Sequence, residues 1–131
     1  MTPEFVSTGN QWERRFGYAR IARAGDLVLV GGTVAIDPDG SPHAPGDAGA
    51  QATRCFEIIE RALGQCGLSR TNVLRSRVFV TDMAQAERVG EAHKRFFDGH
   101  TPGHTPALTQ VGVSALIAPE FVVEIECDAH A

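Results

Sequence analysis

The stretch YARIARAGDLVLVGGTVAI, residues 18–36, decides how the chain is read. Two β-compatible runs meet at Ala24-Gly25-Asp26, where glycine supplies turn freedom, so the stretch predicts a hairpin. In its second run, LVLVGG, apolar side chains fall on both faces, which suits a strand covered on both sides.

Downstream of it, DPDGSPHAPGD (37–47) is a loop dense in Pro, Gly and Asp. Asp47 is placed to cap a helix whose apolar positions Ala52, Phe56, Ile59, Leu63 and Cys66 recur at helical spacing up to a stop at Gly67. Cys55 and Cys66, three turns apart, then share one face of that helix. NVLRSRVFVTD (72–82) alternates as a strand, with Val78 and Val80 on one side and Arg75, Arg77 and Phe79 on the other. Asp82 is a second cap, before a stripe of Ala86, Val89, His93 and Phe96 or Phe97 that DGHTPGHTP (98–106) ends. Two strands close the chain, ALTQVGV (107–113) and FVVEIECDA (121–129). In the last of them Phe121, Val123, Ile125 and Cys127 share one face, and Val122, Glu124, Glu126 and Asp128 the other. A row of carboxylates there is either a solvent-facing edge or a site that uses a carboxylate.

The order is ββαβαββ, an α+β domain with a mixed sheet and two helices on one face. Two helices cover one side only, yet several strands are apolar on both. The bare side, which includes Phe79 and Val111, therefore needs a partner subunit, and a homo-oligomer is expected. A chain of 131 residues is one domain, spanning 1–131. With 43% apolar and 21% charged residues it has the composition of a globular protein. Its net charge of −4, with Lys94 the one lysine among twelve basic residues, offers no basic run that would track phosphates, so no nucleic-acid partner is expected. No apolar stretch approaches a membrane span, and the N-terminus lacks the apolar core of a secretory signal, so a cytoplasmic location is expected. Three scattered cysteines make no disulfide framework. His100 and His104 are separated by Pro102 and Gly103, which breaks helical metal-ligand spacing, and His93 reads as a satisfied packing residue; no metal site is expected.

The strand and helix order, together with GYARIARAGDLVLVGGTVAIDPDG, VFVTDM and the ending P-A-x-T…VEIE, resembles the reactive-intermediate deaminase (Rid) family, also called YjgF or L-PSP, over roughly residues 14–130. The resemblance implies a chorismate-mutase-like fold, a homotrimer that buries the bare sheet face, and clefts between subunits. It also implies hydrolysis of 2-imino or enamino acids to 2-oxo acids and ammonia, without metal or organic cofactor. In that family an arginine within P-A-R-S clamps the substrate carboxylate. The first glutamate of the terminal E-I-E activates water, and a tyrosine, a Ser-Gly pair and a helix asparagine complete the pocket. Tyr18 and Glu124 occupy the places of the tyrosine and the glutamate. The Ser-Gly pair is Gly31-Gly32, the asparagine is Gly90, and P-A-R-S is Pro106-Ala107-Leu108-Thr109.

Leucine offers none of the charge-assisted hydrogen bonds of a guanidinium, so ordinary imino-acid deamination is expected to be weak or absent. Arg20, on the same predicted strand face as Tyr18, and Arg77, beside Phe79, are the two cations that could stand in. The expected site is thus Glu124 as the catalytic base, with Tyr18, Arg20, Gly31, Gly32, Leu108 and Thr109 binding a small molecule. Non-catalytic metabolite binding and ribonuclease activity are the alternatives.

Overall fold

Strand periodicity sorts side chains between two faces, and helices can cover one of them. The computed structural model describes residues 1–131. In chain order its elements are β1 (Glu4–Val6), α1 (Gln11–Phe16), β2 (Ile21–Ala24), β3 (Leu27–Val34), α2 (Ala48–Gly64), β4 (Val73–Val80), α3 (Ala86–Phe96), β5 (Ala107–Gly112) and β6 (Val123–His130). They build one six-stranded sheet in the order β1-β2-β3-β6-β4-β5. Every neighbouring pair is antiparallel except β4 and β5, which α3 joins as a parallel crossover. The α+β class, the mixed sheet and the β2–β3 hairpin, turning at Gly25 with φ +59°, are as read from the sequence.

Val28, Val30, Val78, Val80, Val123, Ile125 and Cys127 supply most of the sheet's share of the core. Against them lie Ala52, Cys55, Phe56, Ile59 and Leu63 of α2 and Val89, Ala92 and Phe96 of α3. Phe56 is wholly buried, stacked on Phe96 at 5.2 Å and edge-on to Phe97 at 5.2 Å. The Asp47 side chain accepts a hydrogen bond from Ala50 N and so caps α2 as expected. The opposite face has no cover: Leu29 and Val111 each stay 42% exposed, and Phe79 is part-exposed beside them. No helix is long and apolar enough to cross a membrane.

Five details differ from the sequence reading. β1 and α1 leave no pattern in the sequence, because three and six residues are too short to show a period. α1 is instead defined by its ends, Asn10 Oδ1 accepting from Trp12 N and Gly17 closing it at φ 70°. Tyr18 and Arg20 precede β2 rather than lying within it. Helix α2 ends at Gly64, so Cys66 lies beyond it and shares no helical face with Cys55; the backbone turns away at Gly67, φ 73°. Asp82 caps a single 3-10 turn, Met83–Gln85, that leads into α3. His93 does pack, 4.8 Å from the Phe97 ring and 5.6 Å from Phe56, but its buried Nε2 has no hydrogen-bond partner.

Candidate functional site

Between Val30 and Thr33 the pairing of β3 with β6 slips, and the residues in the slip are Gly31 and Gly32. This bulge gives the site its shape. A Cβ placed on Gly32 would stand 3.1 Å from both Cδ and Oε2 of Glu124, closer than side chains normally pack. Gly32 is therefore the wall against which the carboxylate lies. Glu124 itself projects from β6 onto the open face, with Phe79 of β4 and Val34 of β3 as its cross-strand neighbours. Burial pushes its carboxyl above the ordinary value, opposed by the Arg20 charge and reinforced by Glu126. No hydrogen bond to the carboxylate contributes to that balance.

Arg20 is 7% exposed, and one arm of its guanidinium is taken up by the bulge. Its Nη1 donates to Gly32 O, to Thr33 Oγ1 at 3.2 Å and, more weakly, to Gly31 O at 3.4 Å. The guanidinium thus staples the bulge from behind, and it lies 5.8 Å from the Tyr18 ring. Tyr18 is 42% exposed at the edge of this group. Thr33 completes the staple by donating its own hydroxyl to Gly31 O at 2.9 Å. On the far side, the buried Glu13 accepts hydrogen bonds from the backbone and hydroxyl of Thr8. Burial works to raise the Glu13 carboxyl, but the bonds from Thr8 and Ser7 and the Arg20 charge outweigh it and hold it below the usual range. One guanidinium thus serves two carboxylates.

The other cation considered, Arg77, is committed. Its Nη1 reaches Glu126 Oε1 at 3.3 Å, and its Nη2 reaches Asp128 Oδ2 at 3.2 Å. Arg75 adds a 3.8 Å contact to Asp128. Glu126 and Asp128 are therefore paired, which leaves Glu124 as the unpaired member of the carboxylate row. A cavity of ≈ 280 Å³ opens beside Gly31, among Arg20, Leu29, Arg77, Glu126 and Asp128.

Tyr18, Arg20, Gly31, Gly32 and Glu124 are brought together; Leu108 and Thr109 are not. On β5, Leu108 is in register with Ser76 and Thr109 with Arg77, whereas Glu124 is opposite Phe79 on the far side of β4. That separation is two strand spacings, roughly 10 Å, and three residues along, roughly 10 Å more. Ser76 points into the core, so its neighbour Leu108 is on the helix side of the sheet, 41% exposed at the edge. Gly90 on α3 has open space where a side chain would stand. Within one chain Glu124 and Leu108 therefore stand apart. Sequence reading missed Glu13 and Thr33. Thr33 had a signal, the Gly-Gly pair that shifts the strand phase just before it, whereas Glu13 is buried by a six-residue helix that leaves no pattern.

Comparison with known proteins identifies the family and the fold. A family model described as "Endoribonuclease L-PSP" matches residues 8–131. An uncharacterized protein of Streptomyces coelicolor is 34% identical over 125 residues, 95% of this chain and 90% of its own. A RutC family protein of Pasteurella multocida is 30% identical over 86% of this chain and 85% of its own. Among solved structures, a Mycobacterium tuberculosis member of the YjgF family superposes with a TM-score of 0.84 at 37% identity, covering 99% of this chain and all of that one. Matched along nearly its whole length in sequence and in fold, the chain belongs to the YjgF (Rid, L-PSP) family.

Proposed function

We propose that the chain hydrolyses an imine, enamine or related reactive intermediate lacking a carboxylate, in clefts between the subunits of a cytoplasmic homotrimer. The observation that carries this reading is Glu124: a half-buried carboxylate with a raised pKa, pressed against Gly32 and held by no hydrogen bond. A general base needs that freedom and that shift. Water attacks the C=N carbon while Glu124 takes its proton, and collapse of the adduct releases a carbonyl compound and ammonia. A homotrimer is supported by the uncovered sheet face and by the separation of Glu124 from Leu108 within one chain. No cofactor is required by this chemistry.

The place of the P-A-R-S arginine is taken by Leu108. Hydrogen bonds to charged groups contribute roughly 1.5–3 kcal/mol each, so loss of a bidentate clamp lowers kcat/KM for an imino acid by about two to four decades. A second reading, metabolite binding without turnover, is favoured by the bare backbone at Gly31 and Gly90. The endoribonuclease description belongs to the family model, and the paired Arg75 and Arg77 lend it no support here. The test is hydrolysis of an imine generated in situ by a flavin-dependent amine oxidase, followed by competition with semicarbazide. Acceleration that vanishes in Glu124→Gln supports the hydrolase, and an equal rate with and without protein refutes it.

A further inference from the structure

We propose that residues 98–106 form a strap latched on the Phe97 ring by His93 and His104, and that protonation of His93 releases it. The inference is independent of the hydrolase reading and of the sheet face that a homotrimer covers.

Three buried side-chain polar atoms in the fold have no hydrogen-bond partner: Nε2 of His93, Nε2 of His104 and Oε1 of Gln110. Buried polar groups are normally paired, so three together call for a cause. All three lie along one side of α3. His93 is on the helix, 7% exposed, its ring 4.8 Å from Phe97. His104 approaches the same Phe97 ring from the strap, at 5.9 Å. Gln110, on β5, is tied by its Nε2 to Ala86 O at the start of the helix. The strap itself is weakly held. Its backbone N–H groups donate only to itself or to the end of α3: Gly99 to Lys94 O, His100 and Thr101 to Phe97 O, Gly103 to Asp98 Oδ1, and His104 to Thr101 O. β5, into which it runs, has five of its six residues exposed.

A neutral imidazole tolerates the His93 position, and an imidazolium does not. The carbonyls at the end of α3 are spent: His93 O on Phe97 N, Lys94 O on Gly99 N, and Phe96 O on Arg70 Nη1. Charged groups on the surrounding elements are engaged elsewhere. On α2, Glu60 is paired with Arg70 at 2.6 Å, and Cys55 is a buried thiol. In the strap, Asp98 accepts from Gly103 N, and His100 is exposed. Glu91, Lys94 and Arg95 of α3 are exposed. β4 and β5 turn no titratable side chain toward the helix, and β6 turns only the buried Cys127 thiol. Burial is the one cause that lowers the His93 pKa. A proton therefore favours whichever form lets water reach His93, and lifting the strap does so while α2, α3 and the sheet stay packed. Because the closed form holds that pKa down, the open form binds the proton better, and opening grows as pH falls. A free imidazole titrates near about 6.5, so the open population should rise about tenfold from pH 7.5 to 5.5.

Hydrogen exchange of the full-length protein tests this, read amide by amide by NMR at both pH values and corrected for the intrinsic pH dependence. The amides of Phe97, Thr101 and His104 should lose about tenfold in protection on acidification, by an opening that low urea does not promote. Amides of β6 should stay more protected and respond to urea. His93→Leu should keep the local opening and abolish its pH response. Strap protection that does not change with pH would overturn the latch. So would strap exchange that occurs only with the core in global unfolding, or a pH response that survives in His93→Leu. The wild-type comparison needs no variant to fold.

Discussion

Replacing Arg20 by methionine separates the two tasks assigned to it, holding the glycine bulge and moderating Glu124. Methionine fills similar space but donates nothing. Gly31 O keeps the Thr33 hydroxyl as a donor at 2.9 Å, and Thr33 Oγ1 keeps that same bond. Gly32 O loses the guanidinium. One acceptor is thus left behind in a part-buried place that water partly reaches, which costs at most about 1–3 kcal/mol. Urea denaturation at fixed protein concentration should show a loss of that size. The second effect is electrostatic: the Arg20 charge pulls the Glu124 carboxyl down against burial, so its removal should raise that pKa further, read from the Glu124 side-chain carbon by NMR. Arg20→Lys keeps the charge without the fork, and should restore the pKa more fully than the stability. A variant with unchanged stability and a Glu124 pKa that stays or falls would refute both roles.

Gly32→Ala should lower hydrolysis at least tenfold with little change in melting temperature. The new methyl group would stand 3.1 Å from the carboxylate, while the Gly32 backbone is outside the left-handed region; wild-type turnover would remove Gly32 from the site. Burial lowers the His93 pKa below 6.5, so the unfolded chain takes up a proton first. Its contribution to stability is therefore complete above about pH 6.5 and declines as pH falls below that. Denaturation midpoints between pH 7.5 and 5.5 should show the decline, and His93→Leu should flatten it. Cys66 is part-exposed, whereas Cys55 and Cys127 are buried with thiols pushed up, that of Cys127 to about 12. Ellman's reagent should consequently find one fast thiol in native protein and three in urea, and a second fast thiol would contradict the packing.

β6 and the second half of β4 are legible because they alternate strictly. The face assignment of Phe121 through Asp128 and that of Val78 against Arg77 both survive in the folded chain. α2 was legible from its stripe, though not its end, because one further turn follows Gly64 before the chain reverses at Gly67. What could not be read was anything decided by a phase shift or a short element. The Gly31-Gly32 bulge breaks the alternation of β3 and thereby sets Thr33 beneath Arg20. Composition gives no hint that an arginine near the N-terminus will turn inward, since that depends on carbonyls eleven and twelve residues away. Leu108 and Glu124 are both named by resemblance, yet opposite sides of the sheet keep them apart within one subunit.

The central claim is that Glu124 works as a base from a half-buried position, and the pH dependence of hydrolysis tests it most directly. Only the ionised carboxylate can accept the water proton, so the rate should fall as pH drops through a midpoint above 4.5, and Glu124→Gln should abolish that limb. A limb at or below 4.5, or one that survives in Glu124→Gln, would contradict the account.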